Sequence, residues 1–165
     1  MIQYIYNHVG ELIAGITALL LIVQLELARK AFKADHERRK KQATVEFVSR
    51  LRDSSWPLEI TLRSKFGDNV INNGEIDGKE EITIGRFLSL VEQLATGVNV
   101  GVFDYDVVSR MIGYHLTSMY DKLHPFIDKS RGNKTNNYSH EYEVLRNRIL
   151  RDRTTEIKEG NIKYS

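Results

Sequence analysis

The sequence predicts an all-α protein, with one N-terminal transmembrane helix continuing into a small cytoplasmic helical bundle. Three observations carry this expectation. An apolar run from Leu12 to Val23 is followed within twenty residues by Arg29, Lys30, Lys33, Arg38, Arg39, Lys40 and Lys41. No proline precedes Pro57, and no glycine falls between Gly15 and Gly67, so one helix can run unbroken through this stretch. Beyond residue 80 apolar residues recur every three or four positions, the period of a helix with one buried face, and strand-like alternation is almost absent.

The apolar run is short for a bilayer core, which takes about 20 helical residues. Extended back to Ile5 or Val9 and forward to Leu27 it reaches that length, with Tyr4 and Tyr6 placed for a headgroup layer. The bland alternative is a buried helix of a soluble core. Residues 1 to 28 hold no Lys or Arg, which argues against a cleaved signal peptide. Residues 29 to 41 set seven basic side chains against Asp35 and Glu37, a local net of +5. By the positive-inside rule the C-terminal side is cytoplasmic, with a single pass through an inner membrane. The division expected is a transmembrane anchor at 1–28, a basic juxtamembrane helix at 29–52 and a helical cytoplasmic domain at 53–165.

The net charge of the whole chain is only +2, so the basic character is local and a general nucleic-acid binder is excluded. Zero cysteines exclude a disulfide framework, a thiolate zinc site and a cysteine nucleophile. Two glycosylation sequons, at Asn133 and Asn137, are chance matches in an Asn-rich stretch if the domain is cytoplasmic.

The first helix is expected over Glu11 to Arg52, ending in the core-facing Val45, Phe47, Val48 and Leu51. Asp53, Ser54 and Ser55 are expected to stop it and cap a brief second helix, with Pro57 in its first turn and its end near Phe66-Gly67. Residues 68 to 79 contain the turn dipeptides Asn73-Gly74 and Asp77-Gly78 and read as a loop. The spacing Ile84, Phe87, Leu88, Val91, Leu94, Ala95, Val98 predicts an amphipathic helix, ended by Gly97 and Gly101. Asp104 sits where an N-cap is expected, and Val108, Met111, Ile112, His115, Met119 and Leu123 form the stripe of the helix it starts. Pro125 should kink or end that helix, residues 128 to 139 should form a mobile polar loop, and a last helix should span about His140 to Glu159.

The segment Leu88-Ser89-Leu90-Val91-Glu92-Gln93-Leu94-Ala95-Thr96-Gly97-Val98-Asn99-Val100-Gly101-Val102-Phe103-Asp104 resembles the centre of the bacterial family designated domain of unknown function 4760. There a leucine, a glutamate, a small residue and two spaced glycines precede an aspartate. Further matches follow in order at Tyr120, Leu123, Pro125, Phe126, Ile127 and Arg131, then Tyr142, Glu143 and Leu145. The chain departs from the pattern at Ser89, where asparagine is expected, and at Tyr120, where tryptophan is common. The resemblance implies a small membrane-anchored helical protein of bacterial or phage origin and brings no catalytic residues with it.

Candidate chemistry is sparse. No two of the five histidines share the i, i+4 spacing of a helical metal site. His115, on an apolar stripe, reads as a hydrogen-bonded core histidine rather than a ligand or general base. Asp104 and Asp106 read as helix-start carboxylates rather than a metal-binding pair. Glu92 lies in the densest apolar segment, where a partly buried carboxylate needs a partner; Arg52, Arg63 and Arg110 are the candidates. Arg146, Arg148, Arg151 and Arg153 alternate with acids and read as a solvated face. Gly10, Ala14 and Ala18 recur every four residues, with Gln24 near their face, a pattern that permits close helix packing in a membrane. No catalytic residue, cofactor or metal is assigned. The expectation is a non-enzymatic protein that binds membrane lipid, itself as a homo-oligomer, and an undefined cytoplasmic protein partner or signal. An oligomerising membrane effector in antiphage defence or toxicity is the alternative.

Overall fold

In the computed structural model the backbone is described for residues 2–67, 76–133 and 138–158, and side chains for 15–65, 67, 76–132 and 138–155. The described residues form four helices and no strand: α1 (Ile2–Phe66), α2 (Gly78–Asn99), α3 (Tyr105–Asn133) and α4 (His140–Lys158). The all-α expectation holds. The chain divides into two compact units, Met1–Arg39 and Lys40–Ser165, a boundary that falls inside the expected basic helix.

Within the first unit every described side chain from Gly15 to Arg39 is exposed. Ile16, Leu19, Leu20, Leu21, Ile22, Val23, Leu25 and Leu27 are 47 to 64% accessible. Among the described residues no helix is long and apolar enough to cross a membrane. This overturns the transmembrane anchor at 1–28, and with it the single-pass inner-membrane localisation and the cytoplasmic placement of the rest. The physical reason is length. The run of large apolar residues meets Gln24 and Glu26, then Arg29 and Lys30 one turn later, well short of about 20 residues. The basic segment pairs partly within its own helix, Arg29 with Glu26 at 3.1 Å and Arg39 with Asp35 at 2.8 Å.

The second unit is a bundle with one apolar core. Val48, Leu51, Leu58 and Leu62 of α1 are buried with Ile84, Leu88, Val91 and Leu94 of α2, Leu116, Leu123 and Ile127 of α3, and Leu145 and Ile149 of α4. Helix α1 does not stop at Asp53. The Ser54 and Ser55 hydroxyls donate to the carbonyls of Leu51 and Arg52, three residues back, instead of capping a new helix. Pro57 is carried inside α1 although it removes a helical hydrogen bond. Packing explains why. Val48, Leu51, Ser55, Leu58 and Leu62 form one buried stripe that crosses the expected break without a change of phase.

Helix α2 starts earlier than Ile84. Asp77 accepts from the N–H groups of Lys79 and Glu80, and the Glu80 carboxylate accepts from Asp77 N–H, a reciprocal capping box. Asn73-Gly74 lies outside the described residues. Helix α3 continues past Pro125 to Asn133 because Phe126 and Ile127 remain in the core, which shortens the expected polar loop from its N-terminal side. Residues 134–137 of that loop lie outside the described residues. Helices α3 and α4 run antiparallel: Tyr105 meets Asp152 at one end and Arg131 meets Glu143 at the other.

Candidate functional site

The segment that carries the family resemblance builds the turn from α2 to α3. Gly101 has φ +83°, a left-handed conformation that side chains with a Cβ resist. At Gly97 a Cβ would lie 2.6 Å from Phe103 Cε2, so only glycine lets the ring fold back on the helix. There Phe103 N–H donates to the Gly97 carbonyl at 2.9 Å, and the ring packs 5.0 Å from that of Phe47 on α1. Asp104 caps α3 as its place predicts, accepting from Val107 N–H at 3.0 Å. Its own N–H donates to the hydroxyl of Thr44, which donates in turn to the Lys40 carbonyl. Thr44 is fully buried, and sequence reasoning missed it: a threonine among lysines gives no sign that it faces a turn sixty residues away.

Glu92 meets none of the three arginines proposed for it. Its two carboxylate oxygens accept from the backbone N–H groups of Glu141 and Tyr142, at 3.0 and 2.9 Å. These are orphan donors of the first turn of α4, where the helix dipole also favours negative charge. One helix thus caps another, and Arg52, Arg63 and Arg110 lie exposed. Asn99 adds a 2.6 Å bond to the Glu141 carboxylate. Opposite, Arg131 donates to the Tyr138 carbonyl at 2.8 Å and to Glu143 Oε2 at 2.7 Å. That hydrogen bond from Arg131 holds the Glu143 carboxyl below its ordinary value of 4.5.

The other resembling residues converge on the same junction. The rings of Tyr120 and Tyr142 meet edge to face at 5.1 Å, and the buried Tyr142 hydroxyl donates to the Leu116 carbonyl at 2.6 Å. A groove of about 590 Å³ runs beside this junction, lined by Leu88, Glu92, Gly97, Val100, Val102 and Tyr138 among others. Its chemistry is largely apolar, and the Glu92 carboxylate at its side is already hydrogen-bonded by α4.

His115 lies apart, between α1 and α3. Its Nδ1 is 3.7 Å from Glu59 Oε1, beyond hydrogen-bond reach, and its buried Nε2 has no hydrogen-bond partner. The ring sits edge-on to Phe87 at 6.5 Å, with a quarter of the side chain exposed. The expected hydrogen-bonded core histidine is therefore a half-buried ring at the rim of a pocket of about 260 Å³, shared with Glu59, Arg63, Tyr114, Ser118 and Lys122. Among the described residues no group of three or more acidic or histidine side chains is placed to hold a metal ion. Ala18 and Gln24 are exposed on the first unit, while the surroundings of Gly10 and the side chain of Ala14 lie outside the described residues.

These features define an all-helical protein whose matching residues are turn-forming, capping and core residues. The chain belongs to the family described as domain of unknown function (DUF4760), whose pattern matches residues 9–149. No curated protein and no solved structure matches it.

Proposed function

We propose that this protein is a non-enzymatic binding module, in which the bundle of residues 40–158 is a stable scaffold and the exposed apolar stretch of α1 engages a partner. One observation carries the reading. Eight large apolar side chains between Ile16 and Leu27 stand 47 to 64% exposed on a single stretch of helix. Contiguous apolar surface of this kind marks interaction sites, because leaving it in water is costly. The prominent ionisable groups of the bundle support the same reading: Glu92, Arg131, Glu143 and Asp104 are engaged in holding helix ends and turns.

The test is size-exclusion chromatography with light scattering on the full chain and on the triple variant Leu20→Gln, Val23→Thr, Leu27→Gln. The wild type should elute in association, with itself or with a stoichiometric co-purifying partner. The variant should elute as a monomer of 19.1 kDa with an unchanged melting temperature. A wild type that is monomeric and partner-free, or a variant that associates equally well, refutes the reading.

A further inference from the structure

Resting on that reading, we infer that the apolar stretch of α1 pairs with the same stretch of a second copy of this chain, in a two-fold antiparallel arrangement. The stripe Ile16, Leu20, Val23 and Leu27 has spacings of four, three and four, one helix face, and all four residues are exposed. The set maps onto itself when the helix direction is reversed about the point midway between Leu21 and Ile22. Ile16 of one copy then faces Leu27 of the other, and Leu20 faces Val23. A self-complementary patch related by a two-fold axis is the usual geometry of a homodimer.

Charge chooses the direction. In a parallel pair the segments 29–39, each with five basic side chains against Asp35 and Glu37, would lie side by side, net +3 beside net +3. In the antiparallel pair the two segments are separated by roughly 40 Å along the axis at about 1.5 Å per residue. That is several Debye lengths at physiological salt, so their repulsion is screened. Each then lies against residues 4–14 of the other copy, a stretch with no Lys or Arg and with the acidic Glu11. The antiparallel pair sets a segment of net +3 beside one of net −1, where the parallel pair sets two segments of net +3 side by side.

The chain has no cysteine, so introduced thiols report the pairing without background. Full-length Ile16→Cys and Leu27→Cys variants are oxidised separately and as an equimolar mixture, and the disulfides are read by mass spectrometry. The antiparallel pair gives the mixed disulfide, joining position 16 of one copy to position 27 of the other, at least tenfold in excess over either like-with-like product. The two copies of position 16 would lie about 16 Å apart along the axis, too far for a disulfide. Like-with-like links from each variant alone indicate a parallel pair and overturn the inference, as does a dimer that forms no link at these positions. A chain whose stretch binds a different polypeptide without self-association overturns it too but leaves the binding reading standing, whereas one that stays monomeric and binds only phosphatidylglycerol vesicles overturns both. A chain that binds nothing overturns both.

Discussion

Replacing Glu92 by glutamine changes one oxygen to an NH2 group while keeping the shape of the side chain, so it isolates the cap that α2 places on α4. The carboxylate accepts from two backbone N–H groups at 3.0 and 2.9 Å. An amide can satisfy only one of them, and its NH2 group then confronts the other donor. A lost cap costs about 0.5 to 2 kcal/mol, and a hydrogen bond to a charged group contributes about 1.5 to 3 kcal/mol. The structure therefore predicts a loss of about 2 kcal/mol for Glu92→Gln. For a domain of this size that is a fall in melting temperature of roughly 6 to 10 °C. Thermal unfolding followed by far-ultraviolet circular dichroism measures it, and amide hydrogen exchange locates it. The amides of Glu141 and Tyr142 should exchange faster while those around Leu94 do not. A variant within about 0.5 kcal/mol of wild type, or unaltered exchange at 141 and 142, would refute the capping role.

Gly97→Ala should destabilise by about 1 to 3 kcal/mol in chemical denaturation, because the added Cβ overlaps the Phe103 ring. Adding Phe103→Ala should cost less in that background than in wild type, and a strictly additive double mutant would contradict the contact. Glu143 is held below 4.5 by Arg131, so its contribution is present above the unfolded value and is lost as pH falls through the folded one. Acid titration below pH 4.5 should melt wild type more steeply than Arg131→Leu, and parallel curves would count against the pair. The Tyr105 hydroxyl is pushed up to about 12, by burial first and then by its bond to Asp152. Its contribution holds below the ordinary value of 10 and fades between about pH 10 and 12. Burial raises Tyr120, Tyr138 and Tyr142 as well, so ultraviolet titration should show several late tyrosines, of which Asp152→Asn brings one earlier.

Periodicity makes the core of the bundle legible in the sequence. The stripe from Ile84 to Val98 is buried as spaced, and Asp104 caps the helix that it precedes. Local signals mislead where tertiary packing outweighs them. Ser54, Ser55 and Pro57 carry every mark of a break, yet Leu58 and Leu62 keep the phase of Val48 and Leu51, and burial of that face holds α1 together. Pro125 is overridden in the same way by Phe126 and Ile127. The partner of Glu92 was out of reach for a different reason. Backbone N–H groups at a helix start have no residue type to announce them, and the start of α4 lies 49 residues away in sequence. The apolar run with its basic flank suggests a membrane span, but Gln24, Glu26, Arg29 and Lys30 limit its length, and among the described residues no helix is long and apolar enough to cross.

Hydrogen–deuterium exchange of the full chain over a range of protein concentrations tests the division between scaffold and binding stretch most directly. Amides of residues 84–98 and 140–150 should be protected to the same degree at every concentration, because their burial is internal to the bundle. Those of residues 16–27 should exchange freely when dilute and become protected as concentration rises, in step with formation of a complex of twice the 19.1 kDa chain mass. Exchange at 16–27 that is independent of concentration would contradict the account.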